Sequence, residues 1–116
     1  MNKLLLVIGA IIVVVAAFAF TSATAKPTYT DDRSPVMYFY QATCSHCIAM
    51  KPILTELAAE GYRVKFMDVG KDTSLWQKYN IEGTPTWIAA NNDRIVGRQS
   101  KEALRAWFDS HGAKIA

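Results

Sequence analysis

The sequence Cys44-Ser45-His46-Cys47 contains the only two cysteines of the chain and lies between a strand pattern and a helix pattern. The residues before it, Val36–Tyr40, are rich in β-branched and aromatic side chains, and residues 48–60 carry apolar side chains at helical spacing. At such a junction the unpaired N–H groups and the positive end of the helix dipole stabilise a thiolate on the first cysteine. The second cysteine lies on the same helix face, within reach of the first. The motif therefore predicts a redox-active Cys44–Cys47 disulfide.

The beginning of the chain differs in composition from the rest. Lys3 is followed by an unbroken apolar run from Leu4 to Phe20 and then by Ala23-Thr24-Ala25. This order is typical of an export signal, but the run is longer than the roughly 7–15 residues of a signal-peptide core. Up to Ala25 the uncharged stretch is long enough to cross a ~30 Å hydrocarbon layer. Residues 1–25 are therefore predicted to be a signal peptide or an N-terminal membrane anchor. Both interpretations place the remainder outside the cytoplasm, in a periplasmic or other extracytoplasmic space.

The remainder is predicted to consist of a linker at residues 26–35, polar and with two prolines, and one domain at residues 36–116. Strands are predicted at residues 36–40, 63–69, 86–90 and 94–98, and helices at residues 44–60, after Asp72 or Thr73, and after Ser100. The first two strands are joined by a helix and should be parallel, whereas the last two form an antiparallel hairpin. The order β-α-β-α-β-β-α predicts an α/β fold with a mixed four-stranded sheet and helices on both faces.

The charge pattern argues against nucleic acid as a partner. The formal net charge is +3, and the basic and acidic residues are interspersed without a basic cluster.

A purely structural disulfide is also disfavoured, because a bridge between Cys44 and Cys47 closes too short a loop to restrict the unfolded chain much.

Three residue sets resemble the thioredoxin superfamily over about residues 36–110. They are FYQATCSHC at residues 39–47, MKP at residues 50–52 and YNIEGTPT at residues 79–86. In this family the proline of the third set is cis and lies beside the disulfide, and the residue before it offers its backbone to an extended substrate. The resemblance therefore implies a thioredoxin-like fold, a cis Thr84–Pro85 bond and substrate binding by Thr84 and Pro85.

The active-site sequence also departs from thioredoxin proper, which has Trp-Cys-Gly-Pro-Cys. Here Ser45 and His46 lie between the cysteines, and Tyr38 stands where thioredoxin has a buried aspartate. Periplasmic oxidases of the DsbA type also have histidine directly before their second cysteine. A positively charged imidazole at His46 would favour the thiolate of Cys44 and make the disulfide a stronger oxidant, so His46 is predicted to be part of the catalytic site.

These observations predict an exported thiol–disulfide oxidoreductase without a cofactor, in which Cys44 attacks and Cys47 resolves the mixed disulfide. Its expected partners are protein thiols and disulfides and a membrane redox partner. One alternative is a membrane-tethered reductase of exported proteins, including apocytochromes. Another is a carrier that binds Cu(I) or Zn²⁺ through Cys44, Cys47 and His46, although a second cysteine pair that would complete a structural zinc site is missing from the sequence.

Overall fold

The computed structural model of the protein describes residues 27–116. The predicted signal peptide or anchor at residues 1–25, with the apolar run from Leu4 to Phe20, lies outside the described residues. Across residues 27–116, none of the helices combines the length and the apolar character that crossing a membrane requires.

The order of elements confirms the predicted β-α-β-α-β-β-α arrangement. The elements are β1 (Val36–Tyr40), α1 (Ser45–Ala59), β2 (Lys65–Asp68), α2 (Ser74–Lys78), β3 (Thr86–Ala89), β4 (Arg94–Val96) and α3 (Lys101–Ser110). The second strand begins two residues later than predicted because Arg63 and Val64 use their N–H groups elsewhere. Arg63 N–H donates to the carbonyl of Ala113 and Val64 N–H to that of Tyr29.

The four strands form one mixed sheet in the order β2-β1-β3-β4. The β1 strand pairs in parallel with β2 and antiparallel with β3, and β3 pairs antiparallel with β4. Tyr38 in β1 lies opposite Phe66 on one side and Trp87 on the other. The strand that leads into the cysteine motif is therefore held by hydrogen bonds on both of its edges.

Helices cover both faces of the sheet, as predicted. Alternate residues of a strand point to opposite faces, and Tyr38 and Tyr40 pack in one cluster with side chains of α1 and α3. Phe39 instead packs with Leu75 of α2 in a second cluster. The Cys47 side chain belongs to the first cluster, so α1 carries the cysteine motif on the same face as Tyr38.

Residues 27–35, predicted to belong to a linker, pack on the domain instead. Tyr29 is only 6% exposed and lies in the core, and Thr30 forms a parallel bridge with Val64 beside β2. The Ser34 hydroxyl donates to the Arg63 carbonyl at 2.8 Å and accepts from the Val36 N–H at 3.1 Å. The segment is polar in composition, which is why a linker was expected. It nevertheless contains one buried aromatic residue, and its backbone groups hydrogen-bond to the residues before β2.

Candidate active site

Cys44 is the N-cap residue of α1. Its backbone is extended, with φ −79° and ψ 116°, and its Sγ accepts a hydrogen bond from the Cys47 N–H at 3.1 Å. A side chain in this position satisfies one of the N–H groups that a helix leaves unpaired at its start. Because these N–H groups and the helix dipole favour negative charge, the sulfur of Cys44 lies where a thiolate is stabilised.

The loop before β3 brings a second segment of the chain to Cys44. The Cys44 thiol donates to the Thr84 carbonyl oxygen at 3.3 Å. The Thr84–Pro85 peptide bond is cis, as the resemblance implied. The loop is held by a hydrogen bond from the Thr86 hydroxyl to the Gly83 carbonyl at 2.7 Å and one from the Gly97 N–H to the Pro85 carbonyl at 2.8 Å. The cysteine motif and the threonine–proline loop thus form one site.

The two thiols have different environments. Cys44 is partly exposed, whereas Cys47 is fully buried, and both are free thiols in this structure. Burial acts to raise the pKa of Cys44, but hydrogen bonds from the Cys47 and Thr84 side chains and from the backbone of Cys47 and His46 lower it overall. Burial raises the pKa of Cys47, as does its hydrogen bond to Cys44. The arrangement therefore provides an accessible, acidified thiol beside a buried, protonated one.

His46 contributes to this site through its backbone. Its side chain is exposed on the first turn of α1. A hydrogen bond from the His46 backbone N–H is among the causes that lower the pKa of Cys44, and the imidazole is not among those causes. The effect of a charged imidazole on the disulfide therefore stays a prediction.

Two substitutions separate the imidazole from the backbone N–H. His46→Ala removes the ring and keeps the N–H, whereas His46→Pro removes both at a first-turn position that tolerates proline. We expect His46→Pro to raise the pKa of Cys44 by about one pH unit more than His46→Ala does, since a hydrogen bond to a charged group contributes about 1.5–3 kcal/mol. The measurement is the pH dependence of Cys44 alkylation. Equal shifts in the two variants would contradict a backbone contribution and assign the effect to the imidazole.

A groove of about 320 Å³ borders the cysteine motif, and sequence reasoning did not identify it. It is lined by Gln41, Ala42, Thr43, Asp68, Gly70 and Lys71. Asp68 Oδ1 accepts from the N–H groups of Gly70 and Lys71 at 2.9 and 3.0 Å, so its carboxylate shapes the turn after β2. The loop of residues 41–43, which precedes Cys44, thus lines an open groove together with the residues that follow β2.

Cys44, His46 and Cys47 do not come together as a metal-binding group in the part of the chain that the structure describes. Among residues 27–116, no three side chains of His, Cys, Asp or Glu come together in a group that could hold a metal ion. The described geometry gives the metal-carrier alternative no further support.

Comparison with protein families matches residues 12–110 to the thioredoxin family. The chain belongs to the thioredoxin family. Thioredoxin from Staphylococcus aureus is 35% identical over 81 residues, which cover 63% of this chain and 77% of that protein. The protein disulfide isomerase-like 1-4 of Oryza sativa is 29% identical over 101 residues, which cover 79% of this chain and 18% of that protein. The chain thus spans less than a fifth of the length of this rice relative.

Solved thioredoxin structures share the fold. A mutant thioredoxin from Halobacterium salinarum superposes with a TM-score of 0.60 at 24% identity, covering 80% of this chain and 98% of the other. Thioredoxin from Malassezia sympodialis gives a TM-score of 0.57 at 21% identity, covering 74% and 81%. With the family membership, these likenesses confirm a thioredoxin-like fold.

Proposed function

We propose that this protein exchanges disulfides with protein substrates through Cys44 and Cys47. The observation that carries the proposal is the pairing of an accessible Cys44 at the start of α1 with a buried Cys47, whose N–H lies 3.1 Å from the Cys44 sulfur. The pKa of the first thiol is lowered and that of the second is raised. A thiolate is the attacking species in exchange, so Cys44 is the nucleophile.

The exchange proceeds in two displacements. The Cys44 thiolate attacks a substrate disulfide, a bond forms between Cys44 and one substrate sulfur, and the other substrate sulfur leaves as a thiolate. Cys47 then loses its proton and attacks the Cys44 sulfur. The Cys44–Cys47 disulfide forms, the bond to the substrate breaks, and the second substrate sulfur leaves. Two electrons pass from the cysteine pair to the substrate, and the reverse sequence oxidises a substrate dithiol.

Thr84 and Pro85 are proposed to bind the substrate segment next to its reacting sulfur. The Thr84 carbonyl lies 3.3 Å from the Cys44 sulfur, which places the backbone of this loop beside the attacking atom. Thr84 is half-buried and Pro85 is buried. An extended peptide can add its backbone to the partly exposed backbone of Thr84, as a strand adds to the edge of a sheet. This mode binds through main-chain hydrogen bonds and therefore accepts substrates of varied sequence.

The proposed location is outside the cytoplasm, and the proposed direction is oxidation of exported proteins with a membrane redox partner. The apolar run from Leu4 to Phe20 after Lys3 supports export and a membrane tether. Histidine directly before the second cysteine supports an oxidising pair. The length of the same apolar run favours the second candidate, a tethered reductase, because an anchor would keep the domain beside a transmembrane electron donor.

The reduction potential of the Cys44–Cys47 pair separates the two directions. The full-length protein is equilibrated with glutathione buffers and the disulfide fraction is measured. A potential near −120 mV is expected for an oxidase, whereas one near −270 mV identifies a reductase. If the two cysteines form no disulfide with each other over the whole range of buffers, thiol–disulfide exchange by this pair is contradicted.

A further inference from the structure

The imidazole of His111 lies between two hydrogen-bond acceptors. His111 is the residue at which α3 ends, and its Nδ1 lies 2.7 Å from the Trp107 carbonyl oxygen. Its Nε2 lies 3.0 Å from Asp93 Oδ2, on the turn between β3 and β4 at residues 90–93. A backbone carbonyl and an ionised carboxylate have no hydrogen to donate, so each ring nitrogen must donate its own. Only the positively charged imidazolium carries a hydrogen on both nitrogens.

The packing around His111 holds the ring in this orientation. The ring stacks on the Trp107 indole with centroids 4.2 Å apart and an interplanar angle of 29°. The side chain of His111 is only 11% exposed, whereas that of Asp93 is 61% exposed. Because water has little access to the ring, a hydrogen bond that one of its nitrogens loses is not fully replaced by solvent.

Asp93 is the charged side chain that faces His111 from the β3–β4 turn. The hydrogen bond to Asp93 is the largest cause that raises the pKa of His111, and the bond to the Trp107 carbonyl is the next. On α3 itself, the Asp109 carboxylate accepts from the Tyr62 hydroxyl instead. Among residues 27–116, Asp93 is the one charged side chain that contributes to the pKa of His111. The negative end of the α3 dipole also favours a cation at this position.

We propose that a proton on His111 joins the β3–β4 turn to the end of α3, and that this contact opens when the proton is lost. In the protonated ring both nitrogens donate, to Trp107 and to Asp93. When the proton passes to solvent, one nitrogen keeps a lone pair that faces an oxygen and is repelled by it. The neutral ring therefore retains at most one of the two hydrogen bonds.

The contact has a defined pH range. The pKa of His111 in the folded protein is raised above its ordinary value of about 6.5. Its stabilising effect is therefore fully present below about pH 6.5 and is lost as the pH rises through the folded pKa. The hydrogen bond from His111 is the largest cause that lowers the pKa of Asp93, so the carboxylate contributes above its ordinary value of about 3.9. The contact is thus complete between about pH 4 and pH 6.5 and weakens at higher pH.

The His111–Asp93 contact and the loop that carries Pro85 lie at opposite ends of the β3–β4 hairpin. The Ala89 N–H donates to the Asp93 carbonyl at 2.8 Å beside the turn, whereas the Gly97 N–H, past the far end of β4, donates to the Pro85 carbonyl. Opening the contact at the turn leaves the Gly97 bond in place. We therefore expect its pH dependence in the stability of the domain.

An NMR titration of the histidine rings in the full-length protein tests the charge on His111. The chain has two histidines, and His46→Ala identifies the His111 signal by removing the other. We expect a midpoint above 6.5 that falls by about 0.5–1 pH unit in Asp93→Asn, a loss of proton affinity of about threefold to tenfold. Glu102→Gln is the matched control, because it removes an exposed carboxylate from the other end of α3. It should move the midpoint by less than about 0.2 unit, since charges that far apart are screened.

Urea denaturation of wild type and Asp93→Asn over a range of pH tests the contact itself. The unfolding equilibrium constant of Asp93→Asn, divided by that of wild type, should be about threefold to tenfold larger at about pH 5.5 than at about pH 9. Any loss from other contacts of Asp93 is the same at both pH values and cancels in this comparison. A ratio that does not change with pH would overturn the proposal. A His111 midpoint at or below about 6.5, or one that Asp93→Asn leaves unchanged, would overturn it as well.

Discussion

Replacing Cys44 by serine is expected to reduce disulfide exchange to the uncatalysed rate, whereas replacing Cys47 by serine is expected to stop the reaction halfway. Cys44 supplies the thiolate that opens the substrate disulfide, and a serine hydroxyl is not ionised at neutral pH. In Cys47→Ser the first displacement still occurs, but the buried resolving thiol is absent. The Cys47→Ser variant should therefore accumulate as a covalent complex with its substrate.

Mass spectrometry of the quenched reaction measures this difference. The Cys47→Ser variant should carry one substrate chain attached at Cys44, and Cys44→Ser should carry none. Ser45→Ala is the control for a change within the motif, since it leaves both sulfurs in place and should retain activity. Accumulation of a complex through Cys47 in the Cys44→Ser variant would reverse the assigned roles.

Leu54→Ala should destabilise the domain by about 2–5 kcal/mol, which is the range for a large-to-small change in a protein core. Leu54 is 1% exposed and packs in the same cluster as Cys47. Ile48 lies on the same helix but is 50% exposed, so Ile48→Ala is the matched control and should change the free energy of unfolding by no more than about 0.5 kcal/mol.

Urea denaturation measures both variants. The midpoint of Leu54→Ala should fall while the slope of the transition is retained. Equal losses in Leu54→Ala and Ile48→Ala would contradict the packing of α1 against the sheet through its Leu54 face. Because small domains have only about 5–15 kcal/mol of stability in total, the expected loss for Leu54→Ala is a large share of it.

Much of the fold could be predicted from the sequence because its signals are local. The β-branched and aromatic run of β1 and the apolar spacing of α1 and α3 depend on residues that are close together in the chain. Ser100 was predicted to cap the last helix, and its hydroxyl accepts from the Ala103 N–H at 3.2 Å. The order of these elements then limited the sheet to few topologies.

The contacts that could not be predicted from the sequence join segments that are far apart along the chain, or they involve backbone atoms. The packing of Tyr29 and Thr30 beside Val64 depends on a partner far along the chain, so a polar segment with two prolines was predicted to be a linker. The Thr84 carbonyl next to Cys44 is a backbone group, and residue type carries no signal for its direction. The family resemblance predicted that this loop lies beside the cysteines. Only the structure shows that the atom in contact with the Cys44 sulfur is the Thr84 carbonyl oxygen.

A single-turnover reaction with a protein that carries a free dithiol tests the central claim most directly. The full-length protein with an oxidised Cys44–Cys47 pair is mixed with this substrate, the reaction is quenched with acid, and free thiols and disulfides are mapped by mass spectrometry. The account predicts that one Cys44–Cys47 disulfide is reduced for each substrate disulfide that forms. Oxidation of the substrate without reduction of that pair, or no reaction with the substrate at all, would contradict it.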